Sequence, residues 1–157
     1  MAYDKIDALN QVAEFHRTFK HPIVDAPGIP AADRCNLRVN LLAEEVKELQ
    51  EAIAAGDLVE IADALCDIQY VLSGAVLEFG LADRFATLFN EVQRSNMSKA
   101  CTTLAEAEAT VAYYAEKKSE SCYIREVDGK FLVYRDGDHK TMKSVAYSPA
   151  QLAALVK

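Results

Sequence analysis

Apolar positions recur at helical spacing over the first two thirds of the chain. Ala8, Val12, Phe15 and Phe19 follow one another at steps of four, three and four, which stacks them on one face of a helix over residues 4–20. The stretch from His21 to Pro30 carries three prolines and a glycine and reads as a loop. The helical period returns from about residue 31 to 55, with Leu42, Val46, Leu49 and Ile53 as the apolar stripe. Gly56 suits the position just past a helix end, and Asp57 is a good cap for the next one. A third helix then runs to about Phe79 on Leu58, Ile61, Leu65, Ile68, Leu72 and Val76, and Gly80 ends it. A fourth extends from Ala82 into the mid-90s on Phe85, Phe89 and Val92. Four helices joined mainly by short links predict a mainly α fold, an antiparallel four-helix bundle.

The tail changes period. Thr103 to Glu106 has the spacing of a capping box and opens a fifth helix to about Lys117. Tyr123–Val127 and Lys130–Arg135 are short β-prone runs separated by Asp128-Gly129, which predicts a hairpin. Ser148-Pro149 is a suitable start for a last short helix ending near Val156. The expected organisation is a helical domain over residues 1–100 and a C-terminal α+β appendage over 101–157.

Composition narrows the function classes. Of 157 residues, 51% are hydrophobic and 26% charged, the balance of a globular chain able to bury a core without disulfides or structural metal. A net charge of −7 argues against a nucleic-acid polymer as partner. No apolar run reaches the roughly 20 residues of a membrane span, and no basic-then-apolar leader opens the chain. Cys35, Cys66, Cys101 and Cys122 are far apart, without a CxxC pair. They read as idle thiols, and a cytoplasmic location is expected.

The chemistry is concentrated between Glu44 and Asp67. At about 100° per residue, Glu44, Glu45, Glu48 and Glu51 share one stripe of the second helix, beside its apolar stripe. On the third helix Glu60, Asp63, Asp67 and Gly74 share another. The short link makes the two helices antiparallel neighbours. Glu48 lies eight residues before Gly56 and Asp63 seven after it; Glu45 and Asp67 are each eleven away. Glu51 and Glu60 form a third level, nearest the turn. An ordinary solvated face gains from Glu–Lys pairs, yet Glu44/Glu48 and Asp63/Asp67 are like-charge pairs at i,i+4. No Lys or Arg occurs between Glu48 and Asp83, an interval with eight acids. A divalent cation would relieve the repulsion, and oxygen-only ligands suit Mg²⁺ or Mn²⁺ rather than Zn²⁺. A di-iron centre needs Glu-x-x-His repeats, and none of His16, His21 and His139 has that spacing. Magnesium held by carboxylates commonly also contacts phosphate oxygens, so a phosphorylated substrate is expected. Asn96 and Lys99 continue the Phe85–Val92 stripe as phosphate donors if the fourth helix runs that far; Arg38 and Arg94 are further candidates. Gly74, one turn past Tyr70, leaves room either for a flat ligand group or for close helix packing.

These residues resemble the all-α nucleoside triphosphate pyrophosphatases, the MazG-like and phosphoribosyl-ATP pyrophosphohydrolase-like superfamily. Their EExxE signature is matched by Glu44-Glu45-Val46-Lys47-Glu48 and their ExxD by Glu60-Ile61-Ala62-Asp63. Phe15-His16, His21-Pro22, Arg38, Asp67, Tyr70 and the run Arg94-Ser95-Asn96-Met97-Ser98-Lys99 extend the match over about residues 10–100. The interval from Glu48 to Glu60 is at the short end for such proteins. The resemblance implies Mg²⁺-dependent hydrolysis of a (deoxy)nucleoside triphosphate, dUTP-like as a first choice, to the monophosphate and pyrophosphate in a house-cleaning role. Glu45, Glu48, Glu60 and Asp63 would hold the metal, and Glu44 would add a ligand or orient the attacking water. Asn96, Lys99, Arg38, Asp67 and Tyr70 would contact substrate. It also implies a homodimer or homotetramer. A phosphoribosyl-ATP pyrophosphohydrolase and a non-catalytic metal- or nucleotide-binding helical module are the alternatives. The tail is assigned no role.

Overall fold

The computed structural model describes residues 3–157. It is mainly helical: α1 (Ala8–Phe19), α2 (Ala32–Ala55), α3 (Leu58–Glu78), α4 (Ala82–Met97) and α5 (Leu104–Lys118) precede a two-stranded sheet, β1 (Cys122–Val127) and β2 (Lys130–Arg135), and a one-turn α6 (Ala153–Val156). The chain forms two compact units, one running to Ala86 and including Val156 and Lys157, the other Thr87–Leu155. The division between these two units falls inside α4. Among the described residues no single helix is both long and apolar enough to cross a membrane.

In the first unit α3 packs against both α1 and α2. Gly56 caps α2 with φ 68°, a left-handed conformation that costs glycine little. Asp57 Oδ1 accepts from the Val59 and Glu60 amides at 2.9 and 3.2 Å, satisfying donors that a helix start leaves open. The link is thus the two-residue stop and start its sequence suggests. The core is small: Val12, Ala13 and Leu77 are buried, with Ile23 and Ala82 packed on them. The Ile23–Ile29 loop folds back on the end of α3, where Val24 and Gly28 amides donate to the Leu77 and Phe79 carbonyls. Gly80 sits beneath it at φ 66°, and a Cβ there would lie 2.0 Å from the Ala26 carbonyl oxygen.

Two expectations need correction in this unit. The first helix begins at Ala8, not at residue 4. Tyr3 and Ile6 are exposed, so no apolar contact rewards winding the chain there, and the Asp7 side chain accepts from the Asn10 amide group instead of capping. The apolar stripes are also only partly covered. Leu42 and Leu49 are half-buried, but Val46 and Ile53 on α2 and Leu58 and Leu65 on α3 are exposed.

In the second unit α5 lies on the hairpin. Asp128 (φ 49°) and Gly129 (φ 73°) form its tip, the doubly left-handed turn whose twist matches that of paired strands. The register runs from Cys122 opposite Arg135 to Val127 opposite Lys130. Cys101, Ala107, Val133 and Met142 are the buried core. Thr103 caps α5 through the Glu106 amide at 3.2 Å. The Glu106 carboxylate, however, reaches the Thr102 amide and hydroxyl, one residue earlier than in a standard capping box. The last helix is shorter than expected. Backbone groups of Ser148 and Pro149 bond to the side chains of Arg94 in α4 and of Ser98 just past its end, which holds them out of helical conformation until Ala153.

Candidate functional site

The α2–α3 hairpin brings carboxylates from both helices together. Glu45 is half-buried, and its Oε2 is shielded from solvent without a hydrogen-bond partner. Burial pushes its carboxyl above the usual range, and the charges of Asp67, Glu48, Glu44 and Asp63 push it further. The strongest neighbour, Asp67, is the residue that register counting sets opposite Glu45. Glu51 instead pairs with Lys47 at 3.3 Å on an exposed helix face. Glu60 lies exposed in the first turn of α3. The structure thus places Glu44, Glu48, Asp63 and Asp67 where their charges act on Glu45, while Glu51 is engaged by Lys47.

Among the described residues no three of these side chains converge closely enough to grip a metal ion. Carboxylates that repel favour rotamers that keep them apart. The donor chemistry nevertheless fits a hard divalent cation: every group is an oxygen donor, and the shielded Glu45 Oε2 has no other partner.

At the other end of the hairpin the same two stripes meet as an ion pair. Arg34 lies twenty-two residues before Gly56 and Glu78 twenty-two after it. Arg34 and Arg38 both donate to Glu78 Oε1, and Arg34 Nε donates to Oε2 at 3.1 Å. Glu78 is 1% exposed. Burial alone would raise its pKa, but the hydrogen bonds from Arg34 and Arg38 outweigh it and hold the carboxyl below the usual range. His16 Nδ1 donates to the Pro22 carbonyl at 2.8 Å, leaving Nε2 to accept from Arg38 Nη2 at 3.3 Å. Its burial, with Arg38 alongside, holds the ring below its ordinary pKa and neutral. A Cβ at Gly74 would come within 2.7 Å of Arg38 Nη1 and 3.1 Å of His16 Nε2. The space at Gly74 is therefore filled by the protein's own guanidinium, not kept for a ligand. Arg38, expected at the substrate, is buried in this cluster. Sequence reasoning passed over Glu78, although at about 100° per residue it continues the Glu60–Asp63–Asp67 stripe. Tyr70 is exposed, with Phe15 edge-on at 5.7 Å between ring centres.

Asn96 and Lys99 belong to the second unit. The helix stops at Met97, so Lys99 lies in the turn that follows, its amide bonded to the Asn96 carbonyl at 3.2 Å. Lys99 Nζ donates to Asn96 Oδ1 at 2.8 Å. The two side chains therefore meet, as their shared stripe requires. Arg94 is engaged elsewhere: it grips Glu91 with two bonds of 2.8 Å and donates to the Pro149 carbonyl.

The chain is similar to an uncharacterised protein of Acanthamoeba polyphaga mimivirus, 38% identical over 82 residues, which are 50% of this chain and 33% of that protein. It thus spans about a third of the length of that relative. The family model described as phosphoribosyl-ATP pyrophosphohydrolase matches residues 12–96. That interval takes in both carboxylate stripes, the Arg34–Glu78 pair and Asn96, and more than half of the sequence. The chain belongs to the phosphoribosyl-ATP pyrophosphohydrolase family, within the all-α MazG-like superfamily.

Proposed function

We propose that this protein is a Mg²⁺-dependent nucleotide pyrophosphohydrolase that splits a (deoxy)nucleoside triphosphate between its α and β phosphates. The observation that carries the reading is Glu45: a shielded carboxylate oxygen without a partner, surrounded by like charges from two helices. Such an arrangement is unfavourable unless it serves a cation. Glu45, Glu48, Glu60 and Asp63 would hold magnesium, with Mn²⁺ as a substitute. Bound there, the ion supplies charge neutralisation of the triphosphate and activation of water.

The remaining steps belong to the side chains. Glu44 orients the attacking water and takes its proton, and the anhydride breaks to give nucleoside monophosphate and pyrophosphate. Asn96 and Lys99 hold the sugar or phosphates, while Asp67 and Tyr70 line the substrate's approach. Catalysis of this kind is mainly positioning and charge stabilisation. A dUTP-like pyrimidine nucleotide is the first choice of substrate, in a cytoplasmic house-cleaning role consistent with four free thiols. The exposed apolar edges of α2 and α3 support a homodimer or homotetramer.

The test is pyrophosphate release over a panel of ribo- and deoxyribonucleoside triphosphates and phosphoribosyl-ATP, with and without magnesium. Turnover of a triphosphate that stops on chelation is expected. Preference for phosphoribosyl-ATP would move the substrate to the family's namesake, and no turnover on any nucleotide would leave a binding module.

A further inference from the structure

The tail outside the family match makes a dense set of polar contacts within the second unit. They fall on one face of α4 and of the turn that continues it. Glu91, Arg94, Ser95 and Ser98 recur at steps of three, one and three, which places them within about 100° of arc. Each is bound by the segment Ser144–Gln151. The Gln151 amide donates to Glu91 Oε1 at 2.8 Å, and Arg94 donates to the Pro149 carbonyl at 3.0 Å. The Ser95 hydroxyl pairs with the Tyr147 hydroxyl at 2.9 Å, and the Ser148 amide donates to Ser98 Oγ at 3.0 Å. The Ser144 amide reaches the Lys99 carbonyl at 3.3 Å. Ser95 is only 4% exposed. Asn96 lies about 150° around the helix from the middle of this gripped face, and Lys99 follows in the turn past Met97, where its carbonyl is held by the Ser144 amide.

A helix end that frays holds side chains poorly, because its last carbonyls lack partners. Here the final turn of α4 and the turn through Lys99 are gripped from one side over their whole length. The tail is itself anchored. Thr110 accepts from the Val145 amide at 3.1 Å, and the Ser144 hydroxyl donates to Glu106. Met142 is in the core.

We propose that the strap Ser144–Gln151 is a positioning element for substrate binding, with Tyr147 and Ser148 as its principal contacts: it fixes the last turn of α4 and the turn after it so that Asn96, on the face away from the strap, and Lys99 are presented together. The proposal rests on the reading of Asn96 and Lys99 as substrate contacts. It gives the C-terminal appendage a function, that of locking a binding segment that lies before it in the chain.

The experiment compares Tyr147→Phe, Ser98→Ala and Ser98→Thr with Asn96→Ala and Lys99→Ala, using full-length protein and the triphosphate turned over fastest in the panel above. The expected result is a KM raised about tenfold in Tyr147→Phe and Ser98→Ala, with kcat within about twofold, as for loss of uniform binding. Ser98→Thr, which keeps the hydroxyl, restores the wild-type KM. Amide exchange at Lys99 and Ala100 speeds up in the first two variants. If Asn96→Ala and Lys99→Ala leave KM unchanged, or no triphosphate is turned over, the substrate-contact reading fails and the strap proposal with it. If those two raise KM and the strap variants do not, only the strap proposal is overturned. A fall in kcat and melting temperature at unchanged KM would mean a merely structural strap, and overturns it equally.

Discussion

At Gly80 two constraints coincide, a left-handed backbone and a carbonyl oxygen 2.0 Å from where a Cβ would sit. Because the obstacle is backbone rather than a flexible side-chain end, Gly80→Ala is expected to cost about 2–4 kcal/mol, read as a lower urea midpoint at unchanged slope. Glu78 carries a different kind of constraint. Its carboxylate neutralises two arginines, one of them buried, so Glu78→Gln is expected to cost about 3–5 kcal/mol by leaving Arg38 uncompensated. The pH dependence has a definite sign. A carboxyl held below its usual pKa in the folded chain contributes stability that is complete above about pH 4.3 and is lost as the pH falls through the folded value. The stability gap between wild type and Glu78→Gln should therefore narrow on acidification below about pH 4.3. A gap that widens there would show that Glu78 is not ionised in the fold. The sequence marks Gly80 only as a helix end and Glu78 only as one more acid on a stripe; the constraint on each comes from a partner far along the chain, Ala26 for Gly80, Arg34 and Arg38 for Glu78.

The element that matters most, the α2–α3 hairpin, is also the one most open to reading. Gly56 and Asp57 are local signals, and once they fix the turn, counting outward in both directions fixes the rest. Glu45 opposite Asp67 and Arg34 opposite Glu78 follow from equal offsets, and the Arg34–Glu78 bonds show that the stripes do face each other. Side-chain rotamers do not follow from counting, which is why Glu51 departs from the expected ladder. Glu51 has Lys47 within reach one turn away, and that local pair wins. If the gathered carboxylates hold magnesium, Glu48→Gln and Asp63→Asn should each lower kcat/KM by at least about a hundredfold, equivalent to roughly 3 kcal/mol, with helical circular dichroism unchanged. Variants with wild-type rates would put the site elsewhere. The tail was harder to read for the opposite reason. Asp128-Gly129 specifies its hairpin locally, but Ser148-Pro149 looks like a helix start and is drawn into a strap by Arg94 and Ser98, some fifty residues upstream.

Over the whole molecule, the mismatch between apolar pattern and burial stands out. Val39 is 64% exposed, Ile53 59% and Leu65 51%, all on helices whose other faces are packed. Exposed apolar edges on neighbouring helices are typical of surfaces covered by a second copy. Light scattering coupled to size exclusion should give a mass twice or four times that of the chain. Val39→Asp with Ile53→Asp should reduce it to the monomer mass, and a monomeric wild type would remove the oligomer from the proposal. The two-residue link at Gly56 further bears on the order of assembly. Charges that interact across it are separated by as few as eighteen positions, whereas Ser148 and Gln151 reach partners fifty and sixty away. Short loops close at less entropic cost than long ones, so pulse-labelled amides of the hairpin helices should gain protection before those of Ser148 and Gln151. A chain emerging from the ribosome would then carry its anionic pocket for some time before the latch that steadies its cationic counterpart exists.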